Sequence, residues 1–219
     1  MNLFSERVHE AARSESAVTT SARKPRVARR EETRGRILEV ARVHFERDGF
    51  EASSFRAIAE DADVAVGTVA LHFEDKRGLL HAALYDDLEQ AIELCLTRGK
   101  RGSFVKRLTE IMEPAYAYYA RRPRLSRTLL ESSLFAASPW KERFASQAGR
   151  VHVRIVEVAE AARSRGEIAK DTDVSVFAAA VFSFYYMALI GWAQGQVATP
   201  LTLFRSMVEQ HVRGVLNDE

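Results

Sequence analysis

The stretch that most constrains this chain is residues 53–76, SSFRAIAEDADVAVGTVALHFEDK. Ile58 and Ala59 give its first piece an apolar face, and Val64, Val69 and Phe73 give its second piece a matching one. Two short helices separated by a tight turn at Ala62, Asp63 and Val64 can therefore pack together. That is the helix-turn-helix pattern, whose second helix has the shape of an element that lies in a DNA major groove. The flanks extend it. Ile37, Leu38, Ala41 and Phe45 form an apolar stripe in a helix expected from Glu31, with Asp48-Gly49 as its stop. Ser53 or Ser54 is expected to cap the helix at 55–61, a third helix is expected at about 65–72, and Glu74-Asp75 restart the chain into a long helix at about 76–97.

Helical spacing continues to the end. Leu80, Leu84, Leu88, Ala91 and Cys95 recur every three or four residues until Gly99 and Gly102 break the pattern. The next amphipathic segment, 103–121, contains Pro114, where a kink is expected. Pro123 opens a segment running to about 137. Ser138-Pro139 reads as serine cap and first-turn proline for a helix reaching 165. An uncharged helix follows at about 172–195, and Pro200 opens the last, at 201–216. No alternating strand pattern or solenoid repeat interrupts this, so the fold class is all-α. Residues 176–193 carry no charge and just reach the length of a membrane span, but they are rich in Ala, Tyr and Gly. A helix buried on both faces has the same composition, and the helical context favours that reading, with no membrane partner.

With 219 residues, 47% of them hydrophobic, the chain can bury a core of one or two domains. Its net charge of +2 says little about partners. Its distribution says more: Arg23, Lys24, Arg26, Arg29 and Arg30 lie together without an acid, at the end of a segment, 1–30, that reads as a flexible basic tail. The single cysteine, Cys95, excludes an intrachain disulfide and any multi-cysteine metal site, and the first residues show no signal-peptide core, so a cytoplasmic location is expected. His9, His44, His72, His81, His152 and His211 show no metal-ligand pairing, and no metal or cofactor is expected. No nucleophile–base pair or paired-carboxylate motif stands out either, so the chain is not expected to be an enzyme.

Residues 32–84, ETRGRILEVARVHFERDGFEASSFRAIAEDADVAVGTVALHFEDKRGLLHAAL, resemble the DNA-binding domain of TetR-family transcriptional regulators. The features in register are Ile37-Leu38, Ala41, Phe45, Gly49, Ser53-Ser54, Ile58-Ala59, Val64, Gly67-Thr68, His72-Phe73, Lys76 and Leu79-Leu80. The resemblance implies a helix-turn-helix domain at 31–77 and a helical effector-binding and dimerisation domain at 78–219. It also implies a homodimeric repressor, released from a double-stranded DNA operator by a small effector, whose last two helices form a four-helix bundle with the partner's. Residues 85–219 match the family only in size, helix count and the style of these last helices.

Family members commonly carry Gly in the turn, Ser at the start of the third helix and Tyr in its middle; here Asp63, Ala65 and Ala70 stand there. Asp tolerates the left-handed turn conformation, so the turn is expected to survive. Ala65 cannot cap through a side chain, which costs about 1 kcal/mol unless Asp63 substitutes. The outward positions are then Val66, Gly67, Thr68, Ala70, Leu71 and His72, of which only Thr68 and His72 can hydrogen-bond through their side chains. No Arg, Lys, Asn or Gln is present for bidentate base contacts, so reading is expected to be modest or to rest on thymine methyl groups. Thr68 and His72 have two readings, as base contacts or as structural residues. Lys76, and Ser53, Ser54 and Arg56 at the start of the second helix, are the candidate phosphate contacts. The arm at 23–30 either follows the minor groove or stays in solvent.

Tyr116, Tyr118, Tyr119, Phe135, Trp140, Phe144, His152 and Tyr186 are candidates for a pocket taking an apolar or aromatic effector, against the alternative that they are core. Cys95 falls on a buried stripe and is a poor redox sensor. Phe177, Val181, Phe184, Ala188 and Trp192 are the candidate dimer face of the uncharged helix, with Phe182, Tyr185 and Leu189 on another side. The alternative is a central helix of a monomer. Two functional readings follow: a ligand-responsive DNA-binding regulator, or a helical ligand-binding or interaction protein whose DNA reading has degenerated.

Overall fold

Every element in the described residues, 26–216 of a computed structural model, is helical apart from an isolated bridge between Ile168 and Leu216. The helices are α1 (Arg26–Arg47), α2 (Phe55–Asp61), α3 (Val66–His72), α4 (Lys76–Thr97), α5 (Phe104–Arg121), α6 (Pro123–Leu134), α7 (Trp140–Ser164), α8 (Val174–Ala193) and α9 (Pro200–Arg213). They fall into two compact units with the boundary after Gly35. The described part of the first unit is the amino-terminal end of α1, in which Arg26, Arg29 and Arg30 are exposed. Helix α1 thus begins at Arg26, five residues before the expected Glu31, and takes in residues 26–30 of the expected tail. Arg23, Lys24 and the rest of that tail lie outside the described residues.

In the second unit the helix ends follow local chemistry. The Asp75 carboxylate accepts from the Gly78 amide at 2.6 Å to start α4, Ser103 accepts from Lys106 at 3.3 Å to start α5, and Asp173 accepts from Val176 at 3.1 Å to start α8. Helix α5 runs through Pro114 as one element. Ser138 does not cap α7 as expected: its hydroxyl donates to the Glu142 carboxylate at 2.6 Å, and Pro139 occupies the cap position without a side-chain bond.

One core runs through this unit. Phe45, Ile58 and Val69 meet Leu79 and Leu80 of α4, and Leu108, Ile111, Leu129, Ile155 and Phe204 continue the core through the body, all without solvent exposure. Each large side chain of this kind contributes about 1.5–3 kcal/mol on burial. Helix α8 is long and apolar enough to cross a membrane by length and composition. It packs between α7 and α9.

Candidate nucleic-acid interface and adjoining cavity

The two serines before α2 have different roles. Ser54 is the cap, its hydroxyl accepting from the Ala57 amide at 3.2 Å, and it is exposed. Ser53 is buried, and its hydroxyl donates to the Gly49 carbonyl at 2.8 Å, so this candidate phosphate contact instead ties α2 to the end of α1. Asp63 takes φ +52°, the left-handed conformation the turn requires, and the Val64 amide closes the turn onto the Ala59 carbonyl at 3.0 Å. No side chain caps α3: Ala65 offers none, and Asp63 does not substitute. Helix α3 holds Val69 fully buried and presents Val66, Gly67, Ala70 and Leu71 outward, Leu71 being 76% exposed. Thr68 and His72 are half-buried, and the His72 ring lies 6.0 Å from that of Phe73.

Lys76 is half-buried rather than free at the head surface. Its ammonium donates to the Glu51 carbonyl at 3.1 Å and sits 4.6 Å above the Phe50 ring, joining the start of α4 to the α1–α2 corner. Arg56 is exposed on α2. Residues 51–76 hold six acids (Glu51, Glu60, Asp61, Asp63, Glu74 and Asp75) against two bases, Arg56 and Lys76. Asp61 is engaged internally, its carboxylate 2.7 Å from Nε2 of the buried His44. The exposed surface of α3 is therefore apolar and is flanked by acids.

A cavity of about 450 Å³ opens in the body between α4, α5, α7, α8 and the end of α6. Leu88, Ile92, Met112, Val151 and Phe182 form its apolar walls, and Leu134 and Phe135 also line it, Phe135 being 91% exposed. Four of the expected residues line it: Tyr119, Phe135, Phe144 and Tyr186. Three do not. Tyr116 is core, 5.7 Å from the Phe204 ring, with its hydroxyl donating to the Tyr185 carbonyl at 3.4 Å. Trp140 packs on His81, Tyr85 and Phe144, and His152 lies edge-on against Phe182. Tyr118 donates to the Leu84 carbonyl at 3.2 Å and lines a separate cleft between α4, α5 and α6.

Residues missed from sequence supply the cavity's polar character: Gln147, Tyr185 and Lys141. The Tyr185 hydroxyl donates to that of Tyr119 at 3.4 Å, and burial raises both phenols, Tyr119 to about 12, so both stay protonated at neutral pH. Gln147 would have been found from its register, since Phe144, Gln147, Val151 and Ile155 recur at helical spacing on one face. Burial also raises the Cys95 thiol to about 11, which leaves little thiolate. Among the described residues no group of His, Cys, Asp and Glu is arranged to hold a metal.

The expected dimer face needs correction. Phe177, Val181, Ala188 and Trp192 are buried inside the chain's own core, and of that set only Phe184 reaches the surface, half-buried. The outward side of α8 instead carries Val176, Ala179, Ser183 and Met187, with Val176 66% and Met187 51% exposed.

The family model described as "Bacterial regulatory proteins, tetR family" matches residues 37–83, which hold α2, α3 and the parts of α1 and α4 that support them. The chain is 38% identical over 60 residues to the HTH-type transcriptional regulator UidR of Escherichia coli strain K12, covering 27% of this chain and 31% of UidR. It is 33% identical over 108 residues to the HTH-type transcriptional repressor KstR of Rhodococcus jostii, covering 48% of this chain and 49% of KstR. The match thus spans about a third to a half of the length of these curated relatives. Solved structures share the wider fold at low identity. FadR of Bacillus subtilis in complex with stearoyl-CoA aligns with a TM-score of 0.64 at 19% identity over 82% of this chain and 98% of its own. A structure from Saccharomonospora viridis in complex with choline aligns with a TM-score of 0.67 at 17% identity over 86% and 100%. The left-handed turn at Asp63, the buried Val69 and the match over 37–83 agree, and those residues form a DNA-binding domain of the type shared by the tetR family of bacterial regulatory proteins.

Proposed function

We propose that the chain is a homodimeric DNA-binding transcriptional repressor, with a reading head at 31–77 and a body at 78–219, released from its operator by a small apolar effector. The observation that carries this is the coexistence of a complete helix-turn-helix with an apolar cavity whose lining reaches the head at one remove. Helix α6 ends at the cavity in Leu134 and Phe135, and near its start Arg124 lies against Gly49 and donates to the Arg47 carbonyl at 3.5 Å. The relatives named as a regulator and a repressor support the DNA partner. The neighbour holding stearoyl-CoA supports a ligand in the body. Lys141 beside an otherwise uncharged lining favours neutral or anionic ligands over a cation such as the choline of the other neighbour. Val176, Ala179, Ser183 and Met187, continued by Phe184 and Met207 at a shallow depression between α8 and α9, form the face a second copy would cover. A chain of this kind works in the cytoplasm, without catalysis.

Operator contact rests on Ser54 and Arg56 for phosphates and on Val66, Gly67, Thr68, Ala70, Leu71 and His72 at the groove. Lys76 acts first by holding the corner and then as a charge beside it. Fluorescence anisotropy with the DNA flanking its own gene, against a scrambled duplex across a salt series, tests the reading. Preference for the native duplex with loss of affinity as salt rises supports it. Equal weak binding to both duplexes would favour the second reading, a ligand-binding or interaction protein whose head no longer reads DNA, which the uncapped apolar α3 and the six acids of residues 51–76 make physically coherent.

A further inference from the structure

Gln147 stands apart from the rest of the cavity wall. It lies on α7 with 2% of its surface exposed, and its Oε1 is buried with no hydrogen-bond partner. Its orientation is fixed by its neighbours. Nε2 donates to a Glu89 carboxylate oxygen at 2.6 Å and lies 3.5 Å from the Tyr85 carbonyl, and both of those accept only. The amide nitrogen must face them, so the oxygen is turned away from them. Glu89 is itself held in place by an ion pair to Arg150. An acceptor buried without a donor is destabilising, and solvent does not reach this one. Gln147 lines the cavity, and turning its amide about the soft terminal torsion, which gives up the long contact to the Tyr85 carbonyl, brings Oε1 to a donor lodged there.

Resting on the effector reading above, we infer that the ligand is a mostly apolar molecule bearing a hydroxyl, and that this hydroxyl donates to Oε1 of Gln147. The phenols of Tyr119 and Tyr185 already bond each other, and the other walls near Gln147, such as Leu88 and Val151, are apolar, so Gln147 supplies the acceptor that discriminates. A ligand lacking a donor leaves the oxygen unpaired, and sites built around a buried polar group reject such analogues most strongly.

The test uses the full chain and two probes that share a decyl chain and its oxygen, 1-decanol and decyl methyl ether, in which a methyl group replaces the hydroxyl proton, with calorimetry as the readout. The wild type is expected to hold the alcohol about tenfold more tightly than the ether, the value of one well-made hydrogen bond. Gln147→Met, close in volume, is expected to bring the two within about twofold of each other while the ether keeps its wild-type affinity. Tyr118→Phe, which removes a hydroxyl from the separate cleft between α4, α5 and α6, is expected to retain the tenfold preference. Failure of the wild type to bind the alcohol, equal binding of the two probes, a preference that survives Gln147→Met or a preference lost in Tyr118→Phe would each overturn the assignment. The wild-type ratio stands by itself if the methionine variant does not fold. Addition of each probe to the DNA complex separates this inference from the regulator reading. Alcohol binding with the predicted preference but no release of DNA keeps the ligand class and removes the regulator, whereas release by ether and alcohol alike does the reverse.

Discussion

Ala65→Ser is the most direct perturbation of the head. Ala65 sits at the cap position of α3 with φ −67° and ψ 144°, an extended conformation already suited to a capping side chain, and α3 has no side-chain cap bond. The Thr68 amide, three residues on, is satisfied only by the Ala65 carbonyl at 2.8 Å. A serine there brings an acceptor to the first turn. Replacing a capping Ser, Thr, Asn or Asp by Ala costs about 0.5–2 kcal/mol, typically about 1, so the reverse change should stabilise the head by about 1 kcal/mol. In a chain of this length 1 kcal/mol moves the midpoint by roughly 2–4 °C where the chain unfolds as one unit. Differential scanning calorimetry reads that shift. Hydrogen exchange at residues 67 and 68 reads it locally, with opening slowed about fivefold for each 1 kcal/mol. Ala65→Val, which cannot cap, is the control and should gain nothing. A serine variant that melts and exchanges like the wild type, or like the valine variant, would refute the argument that α3 starts uncapped.

Ser53→Ala should lower stability by about 0.5–1.5 kcal/mol through loss of the bond to Gly49, and leave affinity for DNA unchanged in anisotropy at a temperature where the variant is folded. Arg56→Ala should do the opposite, weakening binding to all duplexes and reducing the salt slope by about 1 with no change in melting. His81 is buried against Trp140 and Phe144, and burial, aided by Arg77, holds its pKa below the ordinary value of 6.5. The unfolded chain therefore takes up this proton first as pH falls. The contribution of His81 is intact above about pH 6.5 and declines below it toward the lowered folded value. Urea melts of His81→Gln should show a shallower loss of stability between pH 7 and 5 than the wild type; parallel curves would contradict this. Met187→Glu, on the exposed side of α8, should shift the protein toward monomer in light scattering if a second copy covers that side.

The parts of this molecule that were legible in sequence are those in which one residue type has one physical use. Phe45, Ile58, Val69 and Leu80 fall on apolar spacings that only a helix buries on one face, and the end of α1 and the starts of α2 and α4 follow from Gly49, Ser54 and Asp75. Ambiguity enters where two neighbours offer the same chemistry. Ser53 and Ser54 can each cap α2, and the register of the chain against Gly49 makes one a cap and the other a buried strut. Helix α8 is apolar all round, so its sequence does not mark which side is inward; packing against α7 and α9 buries Phe177 and Val181 and leaves Val176 and Met187 outside. The cavity is hardest. Tyr116 and Tyr119 are three residues apart on α5, yet Tyr116 faces Phe204 while Tyr119 faces the void, because three residues on a helix turn a side chain through most of a circle but not all of it.

The same packing limits how an effector could act on the head. Phe144 lines the cavity, and its ring lies 6.0 Å from Trp140 and 5.3 Å from His81 on α4. Trp140 reaches the first turn of α4 beside Gly78, whose amide Asp75 caps, and α3 ends just before that cap. A side chain displaced at Phe144 therefore presses on the helix that carries the head, while a displacement at Leu134 or Phe135 acts along α6 toward Gly49, where Arg124 already crowds a backbone at φ +86°. Interior packing is too dense to absorb such shifts gradually, so the contacts favour discrete arrangements. A ligand shifts the balance between them only by what it binds differently in each. Moving a head from almost all DNA-competent to almost none takes about 5.5 kcal/mol of such difference. Uniform apolar walls cannot easily supply it, since Leu88 or Val151 would contact a ligand much alike in both arrangements. Gln147 lies on α7 one turn beyond Phe144 and is anchored through Glu89 to α4, so its unpaired oxygen meets a donor at a geometry that changes when α4 and α7 move relative to each other.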